Sequence, residues 1–443
     1  MDSFLNSKFM LALQKGGQKL SMNKAFSAVS AGMQSCITII MVGALFQILG
    51  SVPVTAGFIK VTDPWYVYCM VPYNLTMGLI SIYVCVLIAY QYACNLKVKP
   101  IQAALSALAV FFIVASPATV YSLAQLAADG TNTTVTALDV SALGSQGMFG
   151  AIVVALCCVK VESLCVEKHI VIHMSDAVRQ FLQDSFSALV PFFFNVVIWG
   201  TIGWFCEQAA GTTLPLAIEQ LLALPLAGVN SVPGMMLLLF FATALWCFGI
   251  HGTMVAVVVI IAITIQNTSS NAALVAAGMA PIFYPTCLWS AIGAGGGTGN
   301  TLPLCIMCMR SKSEQLKAIG KVGLIPGIFN VNEPITFGVP VMYNPLMAVP
   351  YILNVQITLL LMWAGFSVGF FQPNYIFMQG VFPLGVGEFL QSMAWQNAFI
   401  PVLAFVVAWI VYRPFFKAYE KTLVEQEAAA LKEEEAEKAA VSE

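Results

Sequence analysis

The residue best placed to do chemistry is Glu333, which lies in the run FNVNEPITFGVP at positions 329–340. Glu333 and Glu388 are the only charged residues between Lys321 and Arg413. A charged side chain at bilayer depth costs about 2.5–3.5 kcal/mol on insertion scales, so it is retained where it faces protein, water or a ligand. Glu333 is therefore predicted to have a functional role.

Pro334 directly follows this carboxylate. A following proline disfavours the α conformation of Glu333 and removes one backbone donor, so the stretch is not predicted to be a continuous helix. Irregular backbone at membrane depth is tolerated where it is buried in protein or lines a wet cavity, and transporters place their substrate sites at such breaks. The sequence therefore predicts a ligand site here.

His251 is the only histidine within an apolar span, since His169 and His173 fall in a polar connector. A lone imidazole there could be a packing residue, or it could act together with Glu333. The adjacent Gly252 would let a ligand approach the backbone closely. We predict that His251 and Gly252 belong to the same site as the carboxylate.

Composition places the chain among polytopic membrane proteins. Of its 443 residues, 59% are hydrophobic and 9% charged, against about 45–50% apolar and about 25% charged in soluble domains. A formal net charge of −2 provides no basic field for nucleic acid, which is not expected as a partner. The single CxxC pair, Cys305 and Cys308, lacks further ligands nearby, so neither a metal nor a cofactor is predicted.

The apolar stretches predict an all-α protein with about ten transmembrane helices. Glycine and proline concentrate after position 281, which predicts re-entrant hairpins in the C-terminal half. Lysine and arginine mark the cytoplasmic side and place both termini there. The apolar stretches run near 26–49, 65–93, 101–123, 143–161, 186–206, 233–265, 272–309, 335–371, 376–390 and 395–412.

Two polar segments lie outside these spans, one between the fourth and fifth spans and one after the last. Residues 161–184 mix apolar and charged side chains at near-helical spacing, which favours an amphipathic helix on the cytoplasmic surface; an ordinary polar loop is the alternative. The segment 417–443 is helix-prone and acidic, and we expect it to be a solvated cytoplasmic tail.

The run NVNEPITFGVPVMYNP at 330–345 resembles the signature of the membrane-spanning C component of the bacterial phosphotransferase system, in its lactose, cellobiose and diacetylchitobiose branch. The resemblance extends to ALWCFGIHG at 244–252, GAGGGTGNTLPL at 293–304 and DSFSALVPFFF at 184–194. It covers the chain to about Phe416. Met393 and Ala394 depart from the family where an acidic or polar residue usually precedes the tryptophan, which leaves the exact sugar open.

The resemblance implies a homodimeric permease of the bacterial inner membrane. It implies an N-terminal dimerisation domain, here 1–184 including the connector, and a substrate-transport domain at 185–416. Such a protein carries a β-linked disaccharide whose 6-hydroxyl is phosphorylated by the B component, a partner that carries the phosphoryl group on cysteine and is served by the A component. The resemblance maps Glu333 and His251 onto the residues that face that hydroxyl.

Phosphoryl transfer chiefly requires positioning, so a carboxylate that orients the hydroxyl and an imidazole that holds the same oxygen would suffice. Which of the two accepts the proton stays open. The rival prediction is an ion-coupled secondary sugar transporter, which would also place an acidic residue at a broken helix.

Other polar and aromatic residues are candidates for substrate binding. The glycine-rich loop lacks the lysine of a nucleotide-binding loop, so its polar side chains are predicted to meet sugar hydroxyls. Tryptophan rings suit the C–H faces of a pyranose. A lone amide in an apolar helix is either a packing contact or a ligand group. The candidates are Thr298, Asn300, Asn332, Trp246, Trp395 and Asn195.

Overall fold

The structure is a computed structural model that describes residues 19, 22–55, 57–117, 119–122, 134–174, 178–339, 341–342, 344–378 and 382–441. The helices are α1 Lys24–Ser35, α2 Ile37–Thr55, α3 Pro64–Thr76, α4 Ile80–Leu96, α5 Pro100–Ala115, α6 Met148–Glu167, α7 Gln180–Ala210, α8 Leu214–Val229, α9 Val232–Trp246, α10 Gly252–Ala276, α11 Leu302–Met309, α12 Glu314–Ile328, α13 Glu333–Gly338, α14 Pro345–Ser367, α15 Val386–Ser392 and α16 Ile400–Val441. Short 3₁₀ helices at Pro285–Ile292 and Trp395–Phe399 precede the glycine loop and α16.

The described residues contain seven helical segments long and apolar enough to cross a membrane. Two shorter apolar helices, Pro100–Ala115 and Val232–Trp246, accompany them. The helical membrane architecture is therefore confirmed, while the count of ten crossings stays a prediction. The seven segments are Lys24–Val54, Pro64–Leu96, Ser145–Glu167, Leu182–Ala210, Gly252–Ala276, Pro345–Ser367 and Trp395–Ala429.

A small antiparallel hairpin is the one addition to the all-α prediction within the described residues. Strand β1, Thr119–Ser122, pairs with β2, Thr134–Ala137, and Thr119 lies opposite Ala137. Both strands contain threonine and valine, whose β-branched side chains favour extended backbone.

The N-terminal bundle packs around α4. Its core contains Ile88 from α4, Phe111 from α5 and Val154 from α6, all fully buried. Helix α1 approaches α4 closely because a Cβ on Gly32 would lie 2.6 Å from a side-chain carbon of Ile88. This bundle supports the face of α10 whose Val257 and Ile261 belong to the same core.

The connector prediction at 161–184 is wrong for the described residues. Helix α6 runs on to Glu167 as part of a membrane-spanning segment. It ends where His169 takes a left-handed φ of 57° and the N–H of Ile170 bonds back to the Cys165 carbonyl at 2.8 Å. This pattern is a standard helix stop. Residues 168–174 are not helical, so the polar-loop alternative describes them, and helix resumes at Gln180.

The acidic tail, which was predicted to be solvated, instead contacts the rest of the protein. Helix α16 continues from its membrane-spanning part to Val441, and Tyr419 and Leu423 pack against the buried core of the C-terminal half. Glu420 and Glu427 bond to the turn between α11 and α12. The tail is therefore docked and not freely solvated as far as Glu427, because its apolar and acidic residues recur on one helix face.

Candidate functional site

The predicted break around Glu333 is present. Helix α12 ends at Ile328, Asn330 takes a left-handed φ of 62°, and α13 starts at Glu333 with Asn332 as its N-cap. The interruption thus falls before Glu333 and not at it, because proline in the first turn costs no helical hydrogen bond.

The carboxylate of Glu333 has an unused oxygen. Glu333 is half-buried, and its Oε2 atom is shielded from solvent and has no hydrogen-bond partner among the described residues. Nearly all buried polar atoms in proteins are bonded, and an unbonded one needs an explanation. Because a carboxylate only accepts hydrogen bonds, this oxygen fits the hydroxyl of a ligand.

His251 is the N-cap of α10, and the contacts among the described residues occupy Nδ1 but not Nε2 of its ring. Its Nδ1 accepts a hydrogen bond from the Met254 N–H at 3.2 Å. A neutral imidazole in this position carries its proton on Nε2 and offers a donor there. The ring lies on Trp246 with a centroid distance of 4.4 Å and interacts electrostatically with Glu333.

A chain of hydrogen bonds joins the histidine side of the site to the carboxylate side. The indole N–H of Trp246 donates to the hydroxyl of Thr253 at 3.2 Å, which lies 2.9 Å from the hydroxyl of Thr298. Asn332 donates to the Thr298 carbonyl at 2.6 Å and to the Thr336 hydroxyl at 2.9 Å. The chain therefore joins three predicted residues, Trp246, Thr298 and Asn332, and Glu333 directly follows Asn332 in the sequence.

Asn330 fastens the glycine loop to this cluster. Its side-chain oxygen accepts the N–H groups of Gly296 and Gly297 at 3.2 and 3.3 Å. Gly297 adopts a φ of 83°, and a Cβ there would lie 2.7 Å from Asn332. The loop and the broken helix are thus in direct contact, which positions Thr298 beside Asn332.

The predicted sugar contact of Asn300 is not what the structure supports. Asn300 is fully buried, and its oxygen accepts the Gly295 N–H at 2.8 Å. Its amide donates to the Ala291 carbonyl and to the Asn354 side chain, each at 3.0 Å. Because both of its polar ends are occupied by protein, Asn300 holds the loop in shape and has little left to offer a ligand.

The lack of a side chain at Gly252 allows close helix packing, which is a different role from the predicted one. A Cβ at Gly252 would lie 1.9 Å from the Ala242 carbonyl oxygen and 2.9 Å from Leu245. The glycine therefore lets the start of α10 touch α9, and that contact holds His251 against Trp246. Ligand approach at Gly252 stays a prediction beside this packing role.

Asn195 and Trp395 lie outside the cluster. Asn195 is fully buried and donates to the Cys158 carbonyl on α6 at 3.1 Å, so the packing alternative describes it. Trp395 is 63% exposed and contacts Phe399 edge-on. The structure does not bring Trp395 to Glu333, and a stacking role for it stays a prediction.

Sequence reasoning missed several residues that shape the site. Asn354 on α14 donates to the Gly299 carbonyl at 3.0 Å, and the Tyr412 hydroxyl donates to the same oxygen at 2.7 Å. The Tyr351 hydroxyl is buried and interacts with Asn332 and, electrostatically, with Glu333. Asn354 could have been found as a lone amide in an apolar helix, whereas Thr253 carries no signal in the sequence.

The described residues contain no group of three or more histidine, cysteine, aspartate or glutamate side chains placed to bind a metal ion. The cluster around Glu333 is instead made of one carboxylate, one imidazole, amides and hydroxyls. Such groups recognise a neutral ligand rich in hydroxyls.

The spans, the broken helices and this polar cluster define a polytopic membrane transporter. A family model described as "Phosphotransferase system, EIIC" matches residues 30–354, which include both His251 and Glu333. The chain therefore belongs to the phosphotransferase-system EIIC family of sugar permeases.

Curated relatives match almost the whole chain. The lichenan permease IIC component of Bacillus subtilis (strain 168) is 27% identical over 423 residues, covering 92% of each chain. The cellobiose-specific EIIC component of Geobacillus stearothermophilus is 26% identical and covers 93% of each. The lactose-specific EIICB component of Lacticaseibacillus casei is 28% identical over 93% of this chain and 70% of its own length.

A solved structure has the same fold. The crystal structure of the transporter ChbC, the IIC component of an N,N'-diacetylchitobiose-specific phosphotransferase system, superposes with a TM-score of 0.85. The match covers 96% of this chain and 99% of ChbC at 23% sequence identity. At this identity the likeness concerns the fold alone.

Proposed function

We propose that this permease binds a β-linked disaccharide, carries it across the bacterial inner membrane and presents its 6-hydroxyl for phosphorylation. The observation that carries the proposal is the buried Oε2 of Glu333, which has no hydrogen-bond partner among the described residues, on a carboxylate that interacts electrostatically with His251. The relatives named for cellobiose, lichenan and lactose support a β-linked sugar of this size.

The hydrogen-bond geometry supports a division of roles between Glu333 and His251. Since Nδ1 of His251 accepts a backbone N–H, the neutral ring can only donate to the substrate oxygen through Nε2. Glu333 then takes the hydroxyl proton. The sugar oxygen bonds to phosphorus, the phosphorus–sulfur bond of the phosphorylated B component breaks, and its cysteine leaves as a thiolate.

Re-entrant hairpins in the C-terminal half are part of the proposal. The 3₁₀ helix Pro285–Ile292 leads through the glycine loop into the eight-residue helix α11, and α13 has only six residues. These elements are too short to span a bilayer, which requires about 20 residues. Re-entrant elements return to the side from which they enter and add no crossing, so the proposed ten crossings come from the longer helices and keep both termini in the cytoplasm.

The proposed assembly is a homodimer formed by residues 1–184, with transport by residues 185–416 and the segment 417–443 on the cytoplasmic side. The B component reaches the site from the cytoplasm, and the A component supplies the B component. Cross-linking of purified protein in lipid vesicles measures the homodimer directly.

The decisive experiment measures uptake and product in vesicles. We expect the wild type to accumulate phosphorylated sugar only when phosphoenolpyruvate and the soluble components are supplied. Accumulation of free sugar that depends on an ion gradient would instead establish the rival secondary transporter. Glu333→Gln keeps the shape of the side chain but removes the base, so phosphorylation should fall by about 10²-fold to 10⁴-fold.

A matched pair of variants tests the donor role of His251. His251→Asn keeps a good helix cap but removes the distal donor, whereas His251→Gln places an amide near the position of Nε2. We expect His251→Gln to retain more phosphotransfer than His251→Asn at equal protein stability. Equal activities of the two variants would remove His251 from the donor role.

A further inference from the structure

A surface groove of about 370 Å³ lies between α11 and α16, and we call it the α11–α16 groove. One residue of its lining is charged, Arg310 at the end of α11. The other lining residues are apolar: Ile306, Phe405, Val406, Trp409 and Ile410. The rings of Phe405 and Trp409 stack with a centroid distance of 5.9 Å, and both pack against the buried core of the C-terminal half. The groove is therefore an apolar channel on the surface with one basic end.

The outer face of α16 changes from apolar to basic at this groove. Val406, Ile410, Arg413 and Lys417 follow one another at intervals of four, three and four residues, so they lie on one helix face. Val406 and Ile410 are 49% and 65% exposed, and both basic residues are exposed as well. They belong to the membrane-spanning segment Trp395–Ala429. Because basic side chains on a spanning helix reach for the headgroup layer, the edge of the hydrocarbon layer falls between Ile410 and Arg413.

Two guanidinium groups lie at this edge. Arg310 lines the groove together with Ile410, and Arg413 follows Ile410 by three residues, which is about 4.5 Å along the helix. Among the described residues, the ion pairs involve neither Arg310 nor Arg413. A guanidinium group binds a phosphate through two parallel hydrogen bonds. The basic end of the groove therefore suits a phosphate group, and its apolar length suits a hydrocarbon chain.

Other occupants fit this combination less well. A second copy of the chain, related by a two-fold axis on this face, would bring the same positive charges together. A lipid without net charge would fill the apolar part but leave both positive charges uncompensated. The nearest acidic residue along α16 is Glu420, whose carboxylate already accepts a hydrogen bond from Ser311. An anionic lipid satisfies both parts of the groove.

From these observations we infer that the α11–α16 groove is a binding site for one anionic phospholipid of the membrane. Arg310 and Arg413 bind its phosphate, and one acyl chain lies against Ile306, Phe405 and Trp409. The bound lipid contacts both helices and so stabilises their packing. This inference does not depend on the proposed function, since none of these residues belongs to the site around Glu333.

Native mass spectrometry of the purified full chain in detergent tests the site. The probes are dioleoyl phosphatidylglycerol, which is anionic, and dioleoyl phosphatidylcholine, which has the same chains and no net charge. A basic residue near an anionic headgroup contributes about fivefold in affinity, so one phosphatidylglycerol should bind about 25-fold more tightly than phosphatidylcholine. Arg310→Gln and Arg413→Gln should each weaken phosphatidylglycerol binding about fivefold and change phosphatidylcholine binding by less than about twofold.

Two further variants separate the site from general lipid contact. Arg179→Gln makes the same change in net charge at an exposed arginine at the start of α7, and it should leave both affinities unchanged. Val406→Trp fills the groove without changing the charge, and it should weaken both lipids equally. Because all four substituted side chains are exposed, the variants should fold, and thermal unfolding checks this.

Three results would overturn the inference. Equal affinity of the wild type for the two lipids would mean ordinary bilayer contact. A loss in Arg179→Gln as large as that in Arg310→Gln would mean attraction to net charge alone. Unchanged phosphatidylglycerol binding in Val406→Trp would place the acyl chain outside the groove.

An experimental structure of the chain in phosphatidylglycerol nanodiscs covers the case in which a variant fails to fold. A phosphate within hydrogen-bond distance of Arg310, with an acyl chain along Trp409, supports the site. A groove without an ordered lipid overturns it.

Discussion

Two glutamates of α16 are predicted to hold the turn between α11 and α12 in place. Glu420 accepts hydrogen bonds from the Ser311 hydroxyl at 2.7 Å and the Lys312 N–H at 2.9 Å. Glu427 accepts them from the Ser313 hydroxyl at 2.6 Å and the Gln315 N–H at 3.3 Å. The glutamates are seven residues apart, about two helical turns, so they lie on one face.

The magnitude follows from these four hydrogen bonds. A hydrogen bond to a charged group contributes about 1.5–3 kcal/mol when well buried. Both carboxylates are half-exposed, so water replaces much of each lost bond, and about 0.5 kcal/mol per bond remains. We expect the double variant Glu420→Ala/Glu427→Ala to lose about 2 kcal/mol and each single variant about 1 kcal/mol.

Thermal unfolding of the purified protein in detergent measures this loss. One kcal/mol corresponds to about 2–4 °C in a domain of 150–250 residues, so the double variant should unfold about 4 °C lower. Alanine favours helix at least as well as glutamate, so helix propensity cannot cause a decrease. The loss should also reduce phosphotransfer, because α11 and α12 lead directly to the glycine loop and to Asn330.

Glu425→Ala is the matched control. Glu425 lies on the same helix but is exposed, and its only described ion pair is with Lys421 at 4.0 Å. Exposed pairs of this kind contribute about 0–1 kcal/mol, so the midpoint should move by less than about 2 °C. If the double variant were as stable as the wild type, or if the control lost as much stability as the double variant, Glu420 and Glu427 would not stabilise the turn between α11 and α12.

Three further predictions concern the site and its surroundings. Gly299→Ala should prevent folding, because φ at Gly299 is 80° and the new Cβ would lie 2.3 Å from the Tyr351 ring. Gly211→Ala has a similar φ of 64° but open space around it, so it should lower the free energy of unfolding by only about 1–2 kcal/mol. Expression and thermal unfolding measure both effects. Trp246→Phe should lower kcat/KM about tenfold with an unchanged midpoint, since it removes the indole donor of the cluster. Asn195→Leu should leave sugar affinity within twofold in calorimetry, and a larger loss would return Asn195 to the ligand site.

The carboxylate and its break were predictable because their signals are local. A charge in a long apolar stretch and a proline beside it are visible without any tertiary contact. His251 was predictable for the same reason, as a polar residue in an apolar run. The family-like run around Glu333 then pointed to a sugar, which the composition alone could not do.

Residues of one type took different roles for reasons that lie far away in the chain. Asn332 and Asn300 both follow polar or glycine-rich runs, yet Asn332 stands beside Glu333, whereas Asn300 is fully used by the loop and by Asn354. The partner of Asn300 is 54 positions away, so no local pattern could separate the two. The connector prediction failed for a different, local reason. His169 adopts a left-handed backbone conformation and ends a helix that the spacing of apolar residues would have continued.

The sequence by itself determined that this is a helical membrane protein with a carboxylate at an interrupted helix, because hydrophobicity, charge and proline act on the chain locally. Only the tertiary structure decided that the Asn300 side chain is occupied by the glycine loop and Asn354, and that the acidic tail is docked as far as Glu427. Those features depend on hydrogen bonds and contacts between residues far apart in the chain, and their geometry exists only once the helices have packed.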